Sequence, residues 1–223
     1  MIDIETLPPK VLWYVVGLIA TDGNLSSDGR HIIITSKDID YLNIVRDALG
    51  LKTKITMKAG EFSKYKDCGD LQFSDVSFYR YLLSLGLMPR KSLILGELAV
   101  PAQHFDDFFR GVIDGDGNIR RWVHPTNKRE QWELRVYSGS FKFIAWLRHF
   151  AEEHFKVKGL IITNRPPDKN PLFVLKFGKM AAREILGKIY YENALALERK
   201  RILAKACTNS YLGWTRSLTV QTV

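Results

Sequence analysis

Cysteine is scarce: Cys68 and Cys207 are the only two in 223 residues, and neither belongs to a C-x-x-C or other metal spacing. That argues against a zinc ribbon or a disulfide framework and points to a reducing compartment. Long apolar runs are also missing, since none reaches the roughly 18 residues of a membrane span. The start Met1-Ile2-Asp3-Ile4-Glu5 lacks the basic opening of a signal or transit peptide. The expectation is a soluble intracellular protein, in the cytoplasm of a prokaryote or an organelle matrix, with no membrane partner. Acidic residues are in deficit, 24 against 33 Lys and Arg, for a net charge of +9. Such an excess favours a polyanionic partner, nucleic acid before membrane because no basic amphipathic anchor is visible. The deficit is local: residues 1–103 carry 12 basic and 12 acidic side chains, residues 104–223 carry 21 and 12. Apolar residues are plentiful at 46%, enough to fill one large domain or two small ones.

The stretch Asp114-Gly115-Asp116-Gly117-Asn118 follows the apolar run Phe108 to Ile113. A twelve-residue calcium loop beginning at Asp114 needs Gly at its sixth position and Glu at its twelfth. Those positions hold Ile119 and Pro125, so that reading fails. An ordinary Asp-Gly turn would suffice if the motif stood alone. It does not: Val15 to Leu25, containing Asp22-Gly23-Asn24, matches Phe109 to Ile119 in apolar, small and Asp-Gly-Asn positions.

The likeness extends along the chain, as expected of an internal repeat. Strand-like runs follow each motif, Arg30 to Ser36 and Gln131 to Ser138, and each is followed by an amphipathic helix pattern, from Ile39 and from Phe141. Two further strand candidates come next, Lys54 to Lys58 and Asp70 to Phe73 in one half, Leu160 to Arg165 and Leu172 to Phe177 in the other. A third helix pattern then closes each half, Phe78 to Leu85 and Ala181 to Tyr190, before the pairs Arg90-Lys91 and Arg199-Lys200. The predicted fold class is α+β, two pseudo-symmetric α-β-β-α-β-β-α repeats with antiparallel sheets joined by a two-helix interface. The repeats are set at residues 1–97 and 104–223, with 98–103 as linker.

An aspartate at a helix C-terminus faces the negative end of the macrodipole, which costs about 0.3–1 kcal/mol. Here that happens twice. Gly23 and Gly117 are expected to stop the two helices as left-handed caps. Gly17 with Thr21, and Gly111 with Gly115, stack small residues four apart on one helix face, which lets two backbones approach closely. Packed through those faces, the helices bring Asp22 and Asp116 together, where hard divalent cations would relieve their repulsion. The competing reading is a pair of exposed Asp-Gly turns.

With these motifs the chain resembles the LAGLIDADG homing endonucleases in their single-chain, two-repeat form: Val15 to Gly23 and Phe109 to Gly117 stand where the nine-residue signature stands. The resemblance implies a monomeric, site-specific double-strand DNA endonuclease, two saddle-shaped sheets on a long asymmetric site, and no obligate protein partner. It implies Asp22 and Asp116 as ligands of Mg²⁺, with Mn²⁺ or Ca²⁺ able to substitute in binding and the carbonyls of Thr21 and Gly115 assisting. It also places Lys91 and Lys200 near the cleavage centre as catalytic groups. Ala20 departs from the signature, which has an acidic residue there. Two alternatives stay open, an RNA maturase assisting intron splicing and a catalytically silent DNA-binding protein.

Strand alternation then nominates the DNA-facing side chains. In the first repeat these are Asn24, Ser26, Asp28, His31, Ile33, Thr35, Lys54, Thr56, Lys58, Asp70 and Gln72. In the second they are Asn118, Arg120, Trp122, Gln131, Glu133, Arg135, Thr163, Arg165 and Lys176. A slip of one residue in any strand would turn its members to the other face.

Overall fold

The computed structural model of the chain describes residues 2–59, 67–164 and 170–210. Proline at a first helical position forfeits no intrahelical bond, and helix α1 (Pro9–Thr21) starts on one. It is followed by β1 (Gly23–Leu25), β2 (His31–Ser36), α2 (Ile39–Ala48), β3 (Thr56–Lys58), β4 (Cys68–Ser74) and α3 (Val76–Ser84). Single 3-10 turns at Lys91–Leu93 and Ala102–His104 lead on to α4 (Phe105–Asp116). The order then repeats as β5 (Gly117–Val123), β6 (Glu130–Ser138), α5 (Phe141–Phe155), β7 (Leu160–Asn164), β8 (Leu172–Phe177) and α6 (Lys179–Ile189).

An added helix, α7 (Glu198–Asn209), has no counterpart in the sequence reading. Its buried face is only Lys200, Ala204 and Cys207, too sparse an apolar stripe to announce a helix.

Each repeat forms a four-stranded antiparallel sheet, ordered β1-β2-β4-β3 and β5-β6-β8-β7. Helices α2, α5 and α6 cover one face of their sheets. The buried side chains of both repeats join in one cluster, whose second half is crowded with Phe105, Phe108, Phe109, Phe155 and Phe177. Local caps fix helix starts: Asp75 accepts from the backbone N–H groups of Phe78 at 3.0 Å and Ile2 at 2.6 Å. The Ser140 hydroxyl donates to the Leu95 carbonyl at 2.5 Å, tying the start of α5 to the segment between the repeats.

The centre of the molecule is the packing of α1 on α4. A Cβ on Gly17 would lie 2.0 Å from the Phe108 carbonyl oxygen, and one on Gly111 would lie 2.0 Å from that of Tyr14. These reciprocal contacts make the small-residue faces a condition of the interface. The helix stops differ from the expected left-handed caps. Gly117 is extended, at φ −83 and ψ 155, and neither it nor Gly23 has positive φ. Glycine is needed there for room: a Cβ would meet Ile19 Cα at 2.5 Å from Gly23, and the Ile113 carbonyl oxygen at 2.4 Å from Gly117.

Candidate active centre and nucleic-acid face

Asp22 follows the last turn of α1, its N–H donating to the Leu18 carbonyl at 2.9 Å, and Asp116 is the last residue of α4. The helices are still touching at this level: a Cβ on Gly115 would lie 2.0 Å from Thr21 Oγ1 and 3.4 Å from Asp22 Cγ. Both aspartates keep an exposed surface, yet the crowded helix ends strip much of their hydration. That loss raises both carboxyl groups, Asp22 to about 6 with the charge of Asp116 as its second cause. Lys91 and Lys200 pull the same groups back toward ionisation.

The lysines are buried, at 6% and 4% exposure. Lys91 follows Arg90, a non-glycine residue at φ 55, and its ammonium donates to the Gly23 carbonyl. Lys200 donates to the carbonyls of Ile113 at 2.5 Å, Asp114 at 2.7 Å and Gly115 at 3.0 Å. A cation at a helix C-terminus is favourable and serves orphan carbonyls. Burial nevertheless lowers both ammonium groups to about 8, against the pull of the neighbouring carboxylates. Of the two carbonyls expected to assist a metal, that of Gly115 also accepts from Lys200.

Sequence reasoning missed the polar knot behind this centre. Asp114 is 2% exposed and accepts from Tyr14 Oη at 2.7 Å, Tyr190 Oη at 2.5 Å and the Leu197 N–H at 2.7 Å. Tyr14 and Tyr41 share a further hydrogen bond of 2.6 Å. Asp114 thus holds the start of α7 through its carboxylate while its carbonyl receives Lys200 from that helix. The signal was an acidic residue where copy one has Ala20, but no spacing reveals its tyrosine partners.

The sheet faces opposite the helices carry most of the nominated strand residues. In the first sheet, cross-strand register aligns Asn24 with Ile33 and Gln72, His31 with Ser74, and Thr35 with Asp70 and Thr56. Asp70 accepts from Thr35 Oγ1 at 2.6 Å and pairs with Lys58 at 2.7 Å. Lys54 is exposed just before β3, and Ser26 continues beyond β1, its N–H bonded to the His31 carbonyl at 2.9 Å. Asp28 binds the His31 ring in the turn between β1 and β2.

In the second sheet Asn118 aligns with Arg135 and Lys176, Arg120 with Glu133, and Trp122 with Gln131. Arg120 stacks its guanidinium 5.0 Å from the Trp122 ring. Glu133 is a correction: it occupies this face but is 3% exposed, tied to both Arg135 and Lys176, and so sets their positions. Thr163 is a second correction, because it aligns with Phe173 and Ser138, on the face that packs against helices. Leu160, aligned with Lys176, and Ile162, aligned with Val174, take the open face instead. Arg165 lies outside the described residues.

Among the described residues no group of three or more His, Cys, Asp or Glu side chains converges as a metal cluster, and no helix is long and apolar enough to cross a membrane. No protein-family model matches the chain, and no curated protein matches its sequence. Solved structures do match. The homing endonuclease I-WcaI bound to its DNA recognition sequence matches with a TM-score of 0.64 and 10% identity, over 89% of this chain and 87% of that one. The LAGLIDADG homing endonuclease I-GzeII in complex with its DNA target gives 0.58 and 13%, over 97% and 94%. Full-length DUF199/WhiA from Thermatoga maritima gives 0.56 and 13%, over 96% of this chain and 68% of that one. Identities this low speak for the fold and not for the activity. Two motif helices packed through glycine, a seven-element order run twice and these likenesses together show that the chain has the two-repeat LAGLIDADG fold.

Proposed function

We propose that the chain is a metal-dependent, site-specific double-strand DNA endonuclease acting as a monomer on a long asymmetric site. The observation that carries this is the pair Asp22 and Asp116 at adjoining helix ends, each in the field of two buried lysines. The open faces of the two sheets supply the DNA surface, as the DNA-bound likenesses support.

The donors suit Mg²⁺, Mn²⁺ or Ca²⁺: two carboxylates, Asp22 burdened by the charge of Asp116, and hard carbonyl oxygens nearby, with those of Thr21 and Gly115 as the candidates. Asp22 and Asp116 would hold the ion, which when bound supplies Lewis-acid polarisation of the phosphate and of water. The chain's own groups then orient and stabilise. Lys91 and Lys200 place positive charge beside the centre, where it opposes negative charge developing on the phosphoryl oxygens. Asp114 keeps Lys200 in place through the start of α7.

A second reading, DNA binding without cleavage, is favoured by one feature: both lysines already donate to helix-end carbonyls. Supercoiled plasmid libraries incubated with and without Mg²⁺ separate the two. Cleavage by the native chain, lost in Asp22→Asn/Asp116→Asn while DNA binding persists, supports the nuclease. Binding with no Mg²⁺-dependent cutting establishes the second reading, and undiminished cutting by the double variant removes these aspartates from the mechanism.

A further inference from the structure

The two sheets present chemically different outer edges on their open faces. In the first sheet that edge is polar: Thr56 and Lys58 of β3, the latter paired with Asp70. In the second sheet the same place is apolar. Leu160 and Ile162 of β7 are 59% and 42% exposed, and Leu172 of β8 is 37% exposed. The register puts Leu160 beside Lys176 and Arg135, and Ile162 beside Val174 and Tyr137. Helix α5 packs on the opposite face, so these aliphatic side chains do not belong to the core.

From this placement we infer that the outer strands of the second sheet read thymine methyl groups in the major groove, making the outer part of that half-site thymine-rich. The inference rests on the DNA-binding part of the proposed function. The thymine C5-methyl is the apolar feature that base pairs offer in that groove, and aliphatic side chains are its complement. The bordering charge selects the occupant: Arg135 and Lys176 share the single carboxylate of Glu133, leaving a positive margin suited to a phosphate backbone. A protein partner covering the aliphatic patch would have to meet that same cationic border.

The test starts from a randomised DNA duplex library, from which sites bound by the native chain are selected and sequenced. Duplexes of the selected site are then made with deoxyuridine in place of thymidine, position by position, which deletes only the methyl group. Thymine should be enriched at the outer end of one half-site, and each contacted methyl removed should weaken binding about fourfold, the transfer free energy of one buried carbon. The variant Leu160→Gln/Ile162→Thr should lose both the enrichment and the sensitivity to deoxyuridine while the other half-site keeps its sequence. Both side chains are exposed, and an unchanged thermal melt checks that the variant folds.

Binding indifferent to deoxyuridine overturns the inference and leaves the DNA-binding reading intact. Failure to select any duplex overturns both. Self-association of the native chain that this variant abolishes would assign the patch to a second copy and overturn the inference.

Discussion

At the scale of single residues, the paired aspartates combine a cost in stability with the metal-binding role proposed for them, and pH separates the two. Asp22 titrates at about 6 in the folded chain against an ordinary 3.8, so the folded state holds the extra proton between those values. Its contribution to stability is therefore fully present below about pH 4 and lost as pH rises through about 6. Asp116 shifts in the same direction. In chelator, the melting temperature of Asp22→Asn/Asp116→Asn should gain on the native chain as pH rises from 4 to 7. Calorimetry at a series of pH values measures this, and a gap that stays constant would show that the carboxylates are not strained by burial or by each other. Ca²⁺ should act in the opposite sense, raising the native melting temperature above pH 6 and not near pH 4. Mass action adds about 2.7 kcal/mol at a hundred times the dissociation constant. The double variant should show no such gain.

At the scale of elements, α1 and α4 meet through positions that admit no side chain. Gly17→Ala or Gly111→Ala would drive a methyl against a carbonyl oxygen of the other helix, because each Cβ would start 2.0 Å away. Backbone must move, at a cost of about 1–3 kcal/mol or more despite the better helix propensity of alanine. Gly96→Ala is the control, with nothing within 4 Å of its Cβ and no positive φ, and it should be near neutral in the same urea titration. Equal stability of all three would mean that the helices do not approach as described. This interface was legible because its signal is local: small residues four apart, twice, before Asp-Gly-Asn. The helix stops were not read correctly, because left-handed caps and close backbone approach both select glycine and only coordinates tell them apart. Strand β7 misled for a related reason. Leu160-Ile161-Ile162 is apolar on both faces, so alternation had no polar residue to anchor its register, and Thr163 went to the wrong side. Glu133 alternated correctly, but the cations that bury it come partly from β8, beyond any local pattern.

At the scale of the whole molecule, the charge imbalance between the halves persists on the faces proposed to meet DNA. On the first sheet Lys58 is neutralised by Asp70, and Asp28 sits with His31 in the turn that leads into β2. Among the described residues Lys54, exposed just before β3, adds one further cation at the edge of that face. On the second sheet Arg135 and Lys176 share Glu133, and Arg120 lies over Trp122, so among these described residues about two positive charges are left for phosphates. Each phosphate neutralised contributes roughly 0.9 to the slope of log K against log salt. Arg120→Gln/Arg135→Gln should therefore flatten that slope by nearly 2, and Lys54→Gln/Lys58→Gln by less than 1, because Lys58 must first leave Asp70. The exposed cations of the turns could spread the effect, but they act on both double variants alike and leave their order unchanged. Filter binding of one selected duplex across a series of salt concentrations gives both slopes. Equal flattening, or the reverse order, would mean that the charge held by the second repeat faces away from DNA, and that the imbalance in sequence does not reach the binding surface.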